Sequence, residues 1–309
     1  MKICFFGVGG VGGYYGTIIT DKFKDKHDIY FVARGGHKNA ICTNGLTLKK
    51  SGGEQIINTS PTQCTDNIDD LPICDIVFLS VKGYDLETAA ISLNKISNEK
   101  TIILPLLNGV DIYERIRKHL VTGIVLPSCV YIGTHIESPG VIIQKGGNCN
   151  IFIGKDPMLP DFYPDILLTL LKDSNLDFKW ENNIDVPIWS KYMFIAAYGL
   201  VTATYEKTLG EILDDFELSQ ITKAIMHEIE LIARKLNVPL SADIVETSFL
   251  KGKQFPYETK TSFQRDVESK GRINEIDLFG GTLIRYSEQY KIMIPNIKIV
   301  FDRFMEKMK

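Results

Sequence analysis

MKICFFGVGGVGGYYG, residues 1–16, is the stretch that decides the fold. Ile3 to Phe6 is an apolar run suited to a buried strand, and from Val11 to about Phe23 the chain reads as a helix. Between them Gly7-Val8-Gly9-Gly10-Val11-Gly12 satisfies G-x-G-x-x-G, and a strand before it with a helix after it is the context that gives this pattern meaning. Gly7 permits the sharp turn, Gly9 lets the backbone approach a pyrophosphate, and Gly12 allows the helix to pack close to the strand. The helix N-terminus supplies N–H donors and partial positive charge. Residues Gly7, Val8, Gly9, Gly10, Val11 and Gly12 are therefore expected to hold the phosphates of a dinucleotide. A glycine turn without a ligand is the bland alternative.

Ile29 to Ala33 reads as a second strand and completes a βαβ unit. Its end separates the two nicotinamide dinucleotides, because an acid there would bind the ribose 2′-hydroxyl of NAD. The chain instead reads Phe31-Val32-Ala33-Arg34, followed by Gly35-Gly36-His37-Lys38 with no acid nearby in sequence. Arg34 thus points to a 2′-phosphate and to NADPH/NADP; a solvated surface arginine is the alternative. A Gly-rich hairpin is expected around Gly45, Gly52 and Gly53. Strands over Asp75 to Val81 and Thr101 to Leu107 alternate with helices over Asp85 to Ile96 and Val110 to Leu120, as in a parallel sheet with crossover helices. Lys82 and Asn108 close the two strands and should flank the nicotinamide end of the same cleft. Each could be a plain loop residue. Extended runs at Ile124 to Ile132, Val141 to Gln144 and Asn150 to Ile153 are expected to add antiparallel strands to this sheet. A helix over Asp161 to Lys172 and an edge strand at Phe178 to Trp180 follow.

Beyond Ile184 strand-like stretches become scarce. Helices are expected at Ile188 to Ala203, Glu217 to Leu236, Ala242 to Leu250, Arg272 to Tyr290 and Ile297 to Lys307, with Pro239 and Pro295 as stops. The reading is α/β: an N-terminal Rossmann-type doubly wound sheet, residues 1–182, and a C-terminal all-helical domain, residues 183–309, which should supply catalytic and substrate-binding groups at a cleft.

Composition agrees with two such domains. The 309 residues are 44% hydrophobic and 24% charged, enough apolar material for a sizeable core, and rule out disorder, collagen and disulfide scaffolds. With 35 Lys+Arg against 38 Asp+Glu the net charge of −3 gives no field favouring nucleic acid or an anionic membrane. Cys4, Cys42, Cys64, Cys74, Cys129 and Cys149 show no C-x-x-C and no metal-ligand spacing, so reduced thiols and no metal are expected. The opening residues are too short an apolar run for a secretory signal, and Tyr192 to Ala203 is well below the ~20 residues that span a bilayer. A cytoplasmic protein without nucleic-acid or membrane partners is expected, and a homodimer is compatible with the sequence.

Reduction of a carbonyl needs a proton donor where negative charge develops. Trp189-Ser190-Lys191 opens an unusually apolar stretch, and a lysine partly desolvated there is a better acid near neutral pH. A lysine snorkelling from a buried helix end is the alternative. Asn274-Glu275-Ile276-Asp277 begins a further helix, where Glu275 either caps the helix or meets Lys191 as a proton-transfer unit. At about 100° per residue, Tyr198 and Thr202 return to within roughly 20° of the direction of Lys191 and are expected to line the pocket, although Tyr198 could equally be core.

The segments Gly7 to Gly16, Ser80-Val81-Lys82, Leu107-Asn108-Gly109-Val110, Trp189-Ser190-Lys191-Tyr192 and Asn274-Glu275-Ile276-Asp277 occur in an order that resembles the ketopantoate reductase (2-dehydropantoate 2-reductase) family over nearly the whole chain. The resemblance implies NADPH-dependent reduction of a 2-oxo acid to a 2-hydroxy acid, in the family the conversion of 2-dehydropantoate to pantoate in pantothenate and coenzyme A synthesis. It implies Lys191 as proton donor and Glu275 as the acid at the reacting centre. It also implies Asn108 shared between cofactor and substrate, Lys82 at the cofactor, and Ser262 holding substrate. The segment from Asp266 to Glu275 is one residue longer than the family pattern. Ile195 and Gly199 stand where the family has asparagines four and eight residues after its lysine, so two amide contacts are missing and a related 2-oxo acid becomes an alternative substrate. An NADP-dependent 3-hydroxy acid or sugar-acid dehydrogenase and a non-catalytic NADPH-binding sensor are the other readings.

Overall fold

The computed structural model describes residues 1–50, 55–147, 150–269 and 274–309, in two units, Met1–Ile184 and Asp185–Lys309. In the first unit, runs of β-branched and aromatic residues form the strands. The order is β1 (Lys2–Phe6), α1 (Gly10–Phe23), β2 (Asp28–Val32), α2 (Gly35–Asn44), β3 (Leu46–Lys49), β4 (Ile56–Thr59), β5 (Gln63–Thr65), β6 (Ile76–Leu79), α3 (Leu86–Leu93), β7 (Ile102–Pro105), α4 (Ile112–Arg117) and β8 (Ile124–Val125). There follow β9 (Ser128–Tyr131), β10 (Thr134–Ser138), β11 (Val141–Gln144), β12 (Asn150–Gly154), α5 (Asp165–Asp173) and β13 (Phe178–Glu181).

Six strands pair in the order β5-β2-β1-β6-β7-β8, all parallel. Counted within this sheet that is 3-2-1-4-5-6, the doubly wound order whose direction reverses between β1 and β6. Register puts Phe5 of β1 between Phe31 of β2 and Phe78 of β6. The Phe5 ring lies edge-on to Phe31 at 5.7 Å and stacks on Phe78 at 4.6 Å. All three are fully buried, each contributing about 2 kcal/mol of apolar transfer. This row holds the central strands in register, and with them the loops at their carboxyl ends.

The strands expected as antiparallel additions are placed differently. β8 joins the main sheet in parallel, and Pro127, which has no N–H to pair, separates it from β9. β9 pairs antiparallel with β12, which pairs in parallel with β13. β10 and β11 continue a second sheet, β10-β11-β3-β4, whose β3–β4 pair is the expected hairpin. Gly52 and Gly53, expected in its turn, lie outside the described residues.

The second unit holds α6 (Asp185–Tyr205), α7 (Leu209–Asp214), α8 (Phe216–Lys235), α9 (Ile244–Leu250), α10 (Ser262–Glu268), α11 (Thr282–Tyr290) and α12 (Pro295–Lys307). The sequence reading passed over α2, α7 and α10. The helix expected from Arg272 begins outside the described residues, and from Asp277 to Gly281 the chain makes a π-helical turn before α11. Every residue of α6 from Ala196 to Thr204 is buried. A helix apolar around its whole circumference must be enclosed, and α8, α9, α10 and α12 pack around it. Pro187 falls in its first turn, where the missing N–H costs nothing.

One buried charge ties this bundle together. Glu228 of α8 accepts from the backbone N–H of Asn296 at 2.8 Å, from Asn296 Nδ2 at 2.7 Å and from the N–H of Ile297 at 2.8 Å. Its carboxylate thereby caps the positive end of α12. Glu228→Ala strands those donors and is expected to lower unfolding free energy by about 3 kcal/mol in urea denaturation; a loss under about 1 kcal/mol would mean that water caps α12 equally well.

Candidate active site

In the first unit the residues singled out lie beyond the carboxyl ends of four adjacent strands, Arg34 after β2, the glycine turn after β1, Lys82 after β6 and Asn108 after β7. Gly7 has φ +97°, a left-handed region unfavourable to other residues, and a Cβ on it would sit 2.8 Å from the Ser80 carbonyl carbon. A Cβ on Gly12 would fall 2.2 Å from both the Gly7 carbonyl oxygen and Ser80 Oγ. Ser80 Oγ donates to that same Gly7 oxygen at 2.7 Å. The helix therefore starts as close to the strand ends as backbone allows.

Gly9 is different. A Cβ there would meet no atom within 4 Å, so its side of the loop is open. No side chain caps α1 and no acid occupies its first turn, leaving the first N–H groups and the helix dipole for an outside anion. Open backbone at Gly9 beside uncapped donors at Gly10, Val11 and Gly12 fits the pyrophosphate of a dinucleotide. Val8 is buried, and its N–H, like that of Gly7, donates to the Val32 carbonyl, fixing the loop to the end of β2.

Arg34 is the N-cap residue of α2, and its guanidinium pairs with the Asp85 carboxylate. Lys38, four residues on, pairs with Asp66 at 2.9 Å. The acid absent from the end of β2 in sequence is thus supplied in space from after β6, a correction to the sequence reading. His37 accepts the Gly140 N–H on Nδ1 at 3.0 Å, and burial draws its imidazole below the usual pKa. Lys82 is exposed, and Asn108 is half-buried before Gly109, whose φ of +137° turns the chain.

In the second unit Lys191 is half-buried on α6, and the residue after it holds the Glu275 segment in place. Tyr192 is 1% exposed, and its hydroxyl donates to the Leu278 carbonyl at 2.8 Å, with the Phe279 carbonyl at 3.3 Å. Those carbonyls belong to the π-helical turn. Trp189 stacks on Tyr286 at 6.1 Å, and Tyr192 stacks on Phe279 at 6.5 Å. Glu275, itself buried, opens this turn and accepts the Leu278 and Phe279 N–H groups on its carbonyl. The Lys191 helix and the Glu275 segment are thereby tied within one unit.

Tyr198 and Thr202 need correcting. Tyr198 is fully buried, donates to the Phe249 carbonyl at 2.7 Å and leans on Gly252, where a Cβ would come within 2.4 Å of its oxygen. Its hydroxyl is committed to α9, so it is core rather than pocket lining. Thr202 is also fully buried, within 3.2 Å of the Gly199 carbonyl and 2.8 Å of Thr261 Oγ1. Thr261 caps α10 by accepting from Gln264 N–H, which leaves Ser262 exposed on the first turn. Phe194, one turn from Lys191, stacks on Phe255 at 5.5 Å. Sequence reasoning missed Lys251, on the turn after α9, whose half-burial pulls its ammonium pKa down. It also missed Tyr192 as an anchor and Asp85 as a partner; the adjacency of Tyr192 to Lys191 was the only available signal.

Among the described residues no cluster of three or more His, Cys, Asp or Glu could hold a metal, and no helix is long and apolar enough to cross a membrane. Cys4, Cys42, Cys64, Cys74 and Cys129 carry free thiols, and Cys149 lies outside the described residues.

Comparison with known proteins gives two family matches: ketopantoate reductase PanE/ApbA over residues 3–157, and ketopantoate reductase PanE/ApbA C terminal over residues 183–307. An oxidoreductase of Bacillus subtilis, YkpB, described as uncharacterized, is 25% identical over 301 residues, 97% of each chain. A 2-dehydropantoate 2-reductase of Mesorhizobium japonicum is 26% identical over 303 residues, covering 90% of this chain and 88% of that protein. The crystal structure of a PanE/ApbA family ketopantoate reductase from Ralstonia eutropha superposes with a TM-score of 0.87 at 22% identity, over 99% of this chain and 98% of that one.

Two substitutions test the site. Gly9→Ala is expected to fold with unchanged thermal stability yet bind NADPH at least about tenfold more weakly by fluorescence titration; unchanged affinity would place the pyrophosphate elsewhere. Tyr198→Phe is expected to cost about 1 kcal/mol of stability while leaving the substrate KM unaltered, whereas a raised KM would return Tyr198 to the pocket.

Proposed function

The chain belongs to the ketopantoate reductase family PanE/ApbA and is an NADP-dependent oxidoreductase, and from that premise we propose that it reduces the carbonyl of a 2-oxo acid to the 2-hydroxy acid. The observation that carries this reading is the tie from Tyr192 to the Leu278 carbonyl, which keeps Lys191 and the Glu275 segment in one rigid piece of the second unit.

When bound, NADPH supplies the hydride. Lys191 donates a proton to the carbonyl oxygen as negative charge develops on it, and Glu275 orients the ammonium. Asn108 and Ser262 position the substrate, Lys82 lies at the cofactor, Gly7 to Gly12 hold the pyrophosphate, and Arg34 receives the 2′-phosphate. The rate advantage on this reading comes from proximity and charge stabilisation.

2-Dehydropantoate, in pantothenate and coenzyme A synthesis in the cytoplasm, is the substrate the family suggests first. One observation favours a relative of it. Near Lys191, α6 presents Phe194, stacked on Phe255, and Ile195 where an asparagine would meet a hydroxyl. A hydroxyl buried without a partner costs about 1–3 kcal/mol, while each buried methylene contributes about 0.8 kcal/mol. A 2-oxo acid with an apolar side chain is therefore the second reading.

A panel of branched and unbranched 2-oxo acids, including 2-dehydropantoate, followed by loss of NADPH absorbance, tests both. Turnover of at least one is expected, with Lys191→Ala lowering kcat by about a hundredfold or more at unchanged NADPH affinity. Failure with every 2-oxo acid, together with oxidation of 3-hydroxy acids, would replace this reading.

A further inference from the structure

We propose that Asp85 sets how strongly this enzyme prefers NADPH over NADH, by sharing the guanidinium that receives the 2′-phosphate; this rests on the role given to Arg34 above. Arg34 follows β2 and Asp85 ends a short 3₁₀ turn, Gly83–Asp85, beyond β6. In the strand order β5-β2-β1-β6, β1 and its glycine turn stand between them. The ion pair therefore crosses the end of β1, on the side of the loop where the adenosine end of a dinucleotide comes when its pyrophosphate is held at Gly9.

The Arg34 side chain is 73% exposed and that of Asp85 is 27% exposed, so water screens the pair and a competing anion can displace the carboxylate. Lys38, the second cation on this face of α2, is already matched by Asp66. An incoming 2′-phosphate thus meets two cations that each carry an acid, and Asp85 repels it at close range. For NADH the sign reverses, because a ribose hydroxyl can donate to the same carboxylate. Asp85 accordingly weakens NADPH and favours NADH, and does from β6 what an acid at the end of β2 does elsewhere.

The test is equilibrium titration of the whole protein with NADPH and with NADH at low ionic strength, read by nucleotide fluorescence without substrate. Asp85→Asn keeps the shape and removes the charge. It is expected to tighten NADPH so that the ratio of the NADH Kd to the NADPH Kd rises at least about threefold, while Asp85→Glu stays near the wild-type ratio. A smaller rise, no change or a fall in the Asn variant overturns the proposal, a fall meaning that Asp85 merely orients Arg34. Arg34→Ala separates the two layers. If it leaves NADPH affinity intact, the Arg34 reading fails and this proposal with it, while the assignment to 2-oxo acids, which the titration does not touch, stands.

Discussion

The closeness of the glycine turn to the end of β6 is the constraint on which the cofactor side of this protein depends. Ser80 Oγ donates to the Gly7 carbonyl, and there is no room for a Cβ at Gly7 or Gly12. If α1 were pushed back by even one methyl group, its first N–H groups would leave the line of the sheet's carboxyl edge. The strand order reverses between β1 and β6, so no crossover helix covers this point, and close backbone packing at Gly7 and Gly12 stands beside open space at Gly9. Tightness at Gly12 and vacancy at Gly9 are two consequences of one arrangement: the helix is clamped on the strand side so that its donors face outward on the other.

The second unit solves a different problem with the opposite material. Its central helix is almost wholly apolar, and such a helix could slide or rotate among its neighbours without a directional contact. Tyr192 supplies one such contact, through a hydroxyl that donates to carbonyls of the π-helical turn. Lys191 and Glu275, on either side of this contact, inherit its geometry. Glu228 plays the matching part at the far end of the chain by capping α12.

The parallel sheet and its glycine loop were legible because they rest on local rules: a continuous apolar run makes a buried strand, and only glycine fits where backbones nearly touch. The long helices α6, α8 and α12 were legible for a similar reason. Three kinds of feature were not. The helices α2, α7 and α10 were passed over, and α2 begins with two glycines, which weaken a helical signal. The partners of the strands from β8 to β12 were misjudged because pairing is a property of edges left free by distant parts of the chain, such as the β3 edge that receives β11. Asp85 lies 51 positions from Arg34, so the statement that no acid stands near this arginine held along the chain and failed in space. Tyr198 shows the limit of helical-wheel geometry. Sharing a face with Lys191 does not mean sharing its surroundings, because α9 covers that face further along.

Selectivity in such an enzyme can be adjusted at two places at very different cost. At the cofactor end the pairs Arg34–Asp85 and Lys38–Asp66 are exposed, and exposed pairs contribute only about 0–1 kcal/mol to folding. A charge there can change with little effect on the fold. In the second unit α6 is enclosed, and its residues pack against Phe249, Phe255, Phe263 and Phe279. Exchanging Ile195 or Gly199 for an amide would place a polar group needing partners on a helix where Tyr198 and Thr202 already spend their hydroxyls on Phe249 and Thr261 and the buried Thr204 hydroxyl has no partner among the described residues. The absence of amides at these two positions is thus coupled to the aromatic packing around the helix.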